Sequence, residues 1–287
     1  MRLKSMYCIG FRRFSGVCAM SVASLAMYVS PPPVEEATQL FWKALGARIR
    51  AFGLDAPAAL DNETPYDEVW LRPNLLFGQT CGYPYVQHLR GKVQLVASPV
   101  YGLPGCDGPL KCSFIIVNAK SPVQSIEELR GARAAINEPG SNSGYNLFRH
   151  FVSPHAVEGR FFSSVIETGG HRMSIDAVSS GEADVAAIDC VTFGNTLRFD
   201  PDRLAGVRIL AETAKGPGLP FITSAETSAK DLVILRRALA EAVADPDLAQ
   251  VCDTLSLRGI SFLGDADYEV LAELGREAAR HGYPAIA

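Results

Sequence analysis

The chain has 287 residues, of which 48% are hydrophobic and 20% charged, with a formal net charge of -4. This length accommodates two lobes of roughly 100 to 150 residues, each with its own core, and the composition excludes a disordered or fibrous chain. The acidic balance lacks the basic face that nucleic acid requires, so no nucleic-acid partner is expected, and an anionic ligand would have to be held by local dipoles and donors.

Arg2, Lys4, Arg12 and Arg13 precede a run of small and apolar residues from Phe14 to Val29. This has the charged and apolar parts of a secretory signal, and Arg12-Arg13 has the look of a twin-arginine pair. Ser21 to Met27 also reads as the first core strand, which cleavage after the apolar run would remove. Cys18 follows Val17, where a lipoprotein site wants a small residue. Residues 1–20 are therefore an N-terminal extension, a degenerate signal, or a leader before a true start at Met20. No later segment reaches ~20 uninterrupted apolar residues, so no membrane span is expected.

Pro31-Pro32-Pro33 ends the first strand, and Val34, Ala37, Phe41, Leu45, Ile49 and Phe52 then recur at steps of three and four, one face of an amphipathic helix. A polar loop at 61–67 leads to a strand at Leu75-Leu76-Phe77-Gly78, a loop from Thr80 to Pro84 entering a short helix, and a strand at Val93 to Pro99. Strands alternating with helices predict parallel sheets, with functional loops at the carboxyl ends of the strands. Tyr28 and the Thr80 to Tyr83 loop fall at such ends.

A Gly/Pro-rich loop from Tyr101 to Pro109 precedes the apolar run Ser113 to Val117, and Ser125-x-x-Glu128 forms a capping box for a helix that stops at Gly131. Three strand-to-helix turns follow. Ala132 to Asn137 is a strand broken by Glu138-Pro139-Gly140, with Ser141-Asn142-Ser143-Gly144 at a helix start. Phe162 to Glu167 is a strand turning at Thr168-Gly169-Gly170-His171 into a helix ended by Gly181. Ala183 to Ile188 is a buried strand that delivers Asp189 at its end. Val207 to Thr213 leads out through the rigid turn Lys215 to Pro220, and three helical segments close the chain, starting at Ser228, Asp245-Pro246 and Asp265. Ser113 to Val117 and Val207 to Thr213 are expected to be crossing strands, a two-stranded hinge for an inserted second lobe.

A helix start carries unpaired N–H groups and partial positive charge, so hydroxyls and a glycine there form a socket for a small anion. Serine and asparagine are also ordinary helix caps. Gly140 to Gly144 places Asn142 where a hydrolase elbow has its serine, and no Gly-Lys-Ser/Thr makes a P-loop. His171 is either a surface residue at a helix start or a donor to an anion. An unpaired carboxylate at the end of a buried strand is costly, so Asp189 has to meet a helix N-terminus, a cation or a ligand donor; capping Val191 and Thr192 is its structural role. Tyr28 and Tyr83 are rim packing or O–H donors from the opposite lobe. Seven cysteines include no C-x-x-C and no zinc-type spacing with the five histidines, so no metal and no cofactor are expected. Cys81, Cys106 and Cys112 fall in one region, either with a disulfide in an exported protein or as free buried thiols.

These residues resemble the phosphate/phosphonate substrate-binding proteins of ABC transporters, a branch of the type II periplasmic-binding-protein fold. The resemblance runs from about Val22 to Leu263 and is carried by SIEELRGARAAINEPGSNSGYN, by the TGGH turn followed by DAVSSGEADVAAID, and by GQTCGYP. It implies two α/β lobes, each a mostly parallel sheet flanked by helices: residues 21–115 with 211–287, and residues 116–210 with the anion-binding turns. It also implies that Ser141, Asn142 and Ser143 hold oxyanion oxygens, that His171 donates beside them, and that Tyr28, Thr80 and Tyr83 close from the first lobe. Asp189 matches an acidic position in members that read an amine or a protonated oxygen.

The expected function is the non-catalytic solute-binding component of an ABC importer. It would carry a phosphonate, phosphate or phosphite-like oxyanion to a membrane permease in the periplasm. The alternatives are an enzyme on the same fold, of the menaquinone- or thiamine-pathway type with His171 and Asp189 as acid/base candidates, and a cytoplasmic ligand sensor.

Overall fold

The computed structural model describes residues 20–287. The basic residues Arg2, Lys4, Arg12 and Arg13 and the start of the apolar run, up to residue 19, lie outside the described residues, as do Cys8 and Cys18. No described helix is long and apolar enough to cross a membrane.

Two five-stranded sheets organise the chain into two lobes. The first has the order Val22–Ser24, Leu75–Gln79, Phe221–Ser224, Val93–Tyr101, Leu257–Ser261. The second has the order Val207–Glu212, Ser113–Asn118, Val185–Asp189, Arg133–Ile136, Ser164–Glu167. Within the second sheet Arg133–Ile136 pairs in parallel with both Val185–Asp189 and Ser164–Glu167, while Ser113–Asn118 runs against its two neighbours. In the first sheet Phe221–Ser224 and Leu257–Ser261 run against the three earlier strands. Both strands fall among segments the sequence pattern gives to a turn and to helices, and each is short enough that its partner, Val93–Tyr101, sets its register.

The apolar runs of the second sheet are continuous because both faces are covered. Phe114 and Ile116 pack with Ile175, Val178 and Ile188 on one face; Ile115 and Val117 pack with Phe148, Val152 and Phe162 on the other. Alternate residues of one strand thus feed two different cores, as the two-residue strand period requires. In the first lobe, helix Pro32–Ala51 begins with proline at its first positions and buries Val34, Ala37, Phe41, Leu45 and Ile49, the face the periodicity predicts. Phe41, Trp42, Leu45 and Ile49 pack with Phe77, Leu235 and Leu239.

The capping box at Ser125 yields only a single 3-10 turn, Glu127–Leu129, and the Glu128 side chain accepts from the Gln124 N–H instead of from Ser125. The helix after Ser228 is capped as predicted, by the Ser228 hydroxyl accepting from the Asp231 N–H.

The chain crosses between lobes along two adjacent paths. Leu110–Lys111 and Gly216–Pro217 pair antiparallel beside the short strand Cys106–Asp107; nearby, the Thr213 N–H donates to the Ser113 carbonyl and the Ser113 N–H to the Thr213 hydroxyl. Helix Asp265–Arg280 lies across this junction. Tyr268, Leu271 and Leu274 pack on the first lobe, Asn146 of the second lobe donates to the Leu271 carbonyl at 2.9 Å, and Tyr283 and Ile286 enter the second lobe's core.

Candidate functional site

The strands Arg133–Ile136, Ser164–Glu167 and Val185–Asp189 are adjacent and parallel, so their carboxyl ends emerge side by side. Each end turns directly into a helical segment, which is how residues far apart in sequence come to face one cleft.

At the first turn Ser141 is the N-cap: its hydroxyl accepts from the Gly144 N–H at 3.1 Å, and helical structure runs on through Asn142–Asn146 and Leu147–Val152. Gly144 is required by space. A Cβ there would lie 1.9 Å from Asn137 Oδ1 and 3.1 Å from His171 Cε1. The second turn is braced on the first, with the Gly169 N–H donating to the Asn137 carbonyl at 2.8 Å and the Thr168 hydroxyl bonded to Ser174 at 2.7 Å. Gly169 takes φ +82°, the left-handed conformation that suits glycine. This places His171 Nε2 2.9 Å from the Ser143 hydroxyl.

His171 keeps part of its ring open to the cleft, but its Nδ1 is shielded from solvent and without a hydrogen-bond partner. Burial lowers its pKa to about 4, with Asp189 opposing and Lys111 reinforcing the shift. The ring is therefore a neutral imidazole near pH 7, able to donate or accept through Nε2 according to tautomer.

The third turn has a different character. Asp189 is 2% exposed and caps helix Cys190–Phe199, its Oδ1 accepting from the N–H groups of Val191 (2.9 Å) and Thr192 (3.1 Å). The same oxygen accepts from the Tyr28 hydroxyl at 3.1 Å, reaching over from the first lobe. Lys111, 3% exposed on the crossover, donates to Asp189 Oδ2 and to the Tyr28 hydroxyl and lies 5.0 Å from the Tyr28 ring centre. Burial alone would raise the Asp189 pKa. The ammonium of Lys111, followed by His171 and the hydrogen bonds, outweighs it and holds the carboxyl below the usual range. Burial and the neighbouring Asp189 charge hold the Tyr28 phenol well above its ordinary value, so it stays a donor.

Between the lobes these turns line a cleft of about 310 Å³, together with Met27, Val29, Tyr66, Cys81, Glu138, Met173 and Leu219. Ser141, Ser143, His171, Asp189 and Tyr28 all line it. Asn142 does not: its N–H donates to Cys81 Sγ at 3.3 Å and its side chain accepts from Asn146, so it holds the turn in place. Thr80 is fully buried behind the cleft, its N–H on the Pro220 carbonyl. The Tyr83 hydroxyl points away, accepting from Arg149 at 3.3 Å. Its loop instead presents Cys81 to the cleft.

A second bridge closes the cleft mouth, where Tyr66 of the first lobe donates to Glu138 Oε2 at 2.7 Å. The sequence patterns singled out neither this pair nor Lys111. A lysine two residues before the buried strand Ser113–Asn118 is the one available signal for the latter, since a charge so placed needs a partner. The five described cysteines are free. Cys106 meets Cys190, Sγ to Sγ 3.6 Å, while Cys81 lies apart at the Asn142 turn.

Comparison with known proteins is consistent with this architecture. A binding-protein component of an ABC phosphonate transporter from Pseudomonas aeruginosa superposes with a TM-score of 0.74 at 15% identity, over 91% of this chain and 87% of that one. PhnD1 from Prochlorococcus marinus, solved with methylphosphonate, gives 0.71 at 16% identity over 91% and 99%. XAC2383 from Xanthomonas citri, solved with ATP, gives 0.68 at 18% identity over 91% and 98%. These likenesses establish the two-lobed fold. No curated protein sequence matches the chain. The family model for the periplasmic phosphonate substrate-binding protein of ABC transporters matches residues 76–268, about two-thirds of the chain, which spans all three turns and both crossovers, and the protein therefore belongs to that family.

Proposed function

We propose that this protein is the solute-binding component of an ABC importer, carrying a small oxyanion of the phosphonate, phosphate or phosphite class through the periplasm to a membrane permease. The observation that carries the reading is the Ser143 hydroxyl held 2.9 Å from the neutral His171 ring, both lining the cleft between the lobes. Ser141 and Ser143 supply hydroxyls, His171 supplies Nε2–H in the fitting tautomer, and the helix start adds its partial positive charge. Asn142 contributes by fixing the turn. Tyr28 and Tyr66 act at the interface, where bonds to Asp189 and Glu138 favour the shut form in which ligand contacts from both lobes add up. The methylphosphonate-bound relative supports the ligand class.

An enzyme on the same fold is the second reading, and it draws on the same contact, since 2.9 Å is the separation of a nucleophile and its base. Against it, no carboxylate bonds to the His171 ring to orient it, and Asp189 is spent on Lys111, Tyr28 and its own helix. We read the protein as non-catalytic.

Calorimetric titration with phosphate, phosphite, methylphosphonate and 2-aminoethylphosphonate tests the carrier. At least one is expected to bind, and Ser143→Ala is expected to weaken it about 10- to 100-fold, the effect of a hydrogen bond to a charged group. Binding by none of them, or an unchanged Kd in Ser143→Ala, overturns the assignment. Turnover of a phosphate or phosphonate ester that is lost in Ser143→Ala would establish the enzyme instead.

A further inference from the structure

A cluster of thiols lies beside the crossover, and none of them lines the cleft. Cys106 and Cys190 are 84 residues apart in sequence, yet their Sγ atoms stand 3.6 Å from each other. Cys112 packs in the same core. It and Cys190 are fully buried, whereas Cys106 is half-buried in a segment whose residues Pro104 and Asp107 are exposed.

The backbone holds these thiols together. The Cys112 N–H donates to the Gly105 carbonyl at 3.2 Å, and the Cys190 N–H donates to the Cys112 carbonyl at 3.2 Å. Gly105 makes the approach possible: it takes φ +86°, and a Cβ there would lie 2.7 Å from Cys190 Cβ and 2.9 Å from Cys112 Sγ. With only hydrogens on that Cα, the hairpin of Cys106–Asp107 and Leu110–Lys111 settles onto the start of helix Cys190–Phe199. Lys111, opposite Cys106 in this hairpin, is ion-paired with Asp189, the residue before Cys190. The hairpin and the third turn therefore meet at two adjacent points, once through charges and once through sulfurs. Closing 3.6 Å to the ~2 Å of a disulfide takes a movement of about 1.5 Å, which side-chain rotation can supply.

We propose that Cys106 and Cys190 are a disulfide site, whose bond staples the crossover hairpin to the third turn when the protein meets a disulfide oxidant. Cys106, the more exposed thiol, loses its proton and attacks one sulfur of the oxidant RS–SR, and one thiolate leaves. Cys190 loses its proton, attacks Cys106 Sγ and expels the second thiolate. Two electrons pass to the oxidant, and its two thiolates take up the two protons. The bond to Cys190 and then burial hold the Cys106 thiol well above its ordinary value, so exchange is slow in both directions, as suits a structural bond. Both ends pack with the second lobe's core, so opening of the cleft leaves the bond intact. The site is independent of which ligand the cleft takes.

The test is to reduce the full chain with dithiothreitol, oxidise it with oxidised glutathione, and follow non-reducing peptide mapping and thermal unfolding. A peptide pair joined through Cys106 and Cys190 is expected. The oxidised protein should melt about 5 °C or more above the reduced one, because the bond closes a long loop in the unfolded chain. Cys106→Ser should lose both the link and the rise, while its reduced form melts like the reduced parent. Cys112→Ala should keep both. Free thiols at Cys106 and Cys190 after oxidation, a glutathione adduct that persists on Cys106, or a link from Cys190 to Cys112 overturns the inference. So does a linked protein that melts no higher than the reduced one.

Discussion

The turns at Ser141 and at Asp189 are built alike and do opposite things. Both follow neighbouring parallel strands of the second sheet, and both place an oxygen-bearing side chain over the first N–H groups of a helical segment. At Ser141 the cap is a neutral hydroxyl, so the partial positive charge of the helix start is left for a ligand. At Asp189 the cap is a carboxylate that satisfies the N–H groups and adds a full negative charge, and a buried lysine then cancels it. One backbone device gives a binding pole in the first case and a locking pole in the second. The residue at the N-cap decides which.

Breaking the locking pole is expected to have the largest effect. Lys111→Met leaves Asp189 2% exposed without its cation, and removing one member of a buried pair costs about 3 to 5 kcal/mol. Thermal unfolding should show this as a marked fall in Tm, and the double variant Lys111→Met with Asp189→Asn should recover much of it. If Lys111→Met unfolds like the parent, the pair does not hold the lobes as described.

The binding pole has its own signature in pH. An unfolded histidine titrates near 6.5, whereas folded His171 resists protonation down to about 4. The unfolded chain therefore binds the extra proton between these values, and stability rises with pH across the window. His171 contributes fully above about pH 6.5, and its contribution is lost as pH falls towards 4, by about 2 to 3 kcal/mol at ~1.4 kcal/mol per unit. Denaturant titrations at several pH values, compared with His171→Gln, isolate this from the carboxylates. A histidine that is not buried neutral would leave the two pH profiles parallel.

A smaller change sharpens the packing side of the same pole. Gly144→Ala drives a methyl into Asn137 Oδ1, and overpacking of this kind costs about 1 to 3 kcal/mol. Asn137→Ala in the same chain removes the obstructing Oδ1 and Cγ and should restore part of the loss in chemical denaturation. No such rescue would mean that the turn, and not Asn137, limits the space.

These contrasts also mark what was legible in the sequence. The strands of the second sheet were readable because each alternates between two filled cores, giving unbroken apolar runs such as Phe114 to Val117. The three turns were readable because glycines and polar residues interrupt those runs at strand ends. The strands Phe221–Ser224 and Leu257–Ser261 were not, because they are short and take their register from Val93–Tyr101. The GQTCGYP loop was visible but its facing was not. Helical Gly82 packs so closely on Leu271 that a Cβ would approach to 2.6 Å, and this fixes the turn with Tyr83 towards Arg149 and Cys81 towards the cleft. Lys111 was the hardest to see, since its partner is 78 residues further on and only the folded chain brings them together.

The smallest expected effect lies at the cleft mouth, and it separates the stability of each lobe from the equilibrium between them. Tyr66 and Glu138 belong to opposite lobes and share one hydrogen bond at 2.7 Å at the rim. Tyr66→Phe keeps the ring that packs 5.0 Å from Trp70 and removes only the hydroxyl. A hydrogen bond to a charged group at a partly exposed site is worth about 1 kcal/mol. Neither lobe's core depends on it, so the unfolding midpoint should move little. The shut form, however, loses a bond that the open form does not make, and a shift of about 1 kcal/mol changes the ratio of shut to open about fivefold. Small-angle scattering of the ligand-free protein should then report a larger radius of gyration in Tyr66→Phe, while saturating ligand should return both proteins to the same compact form. An unchanged radius in the free state would place the closing free energy at Tyr28, Lys111 and Asp189 alone.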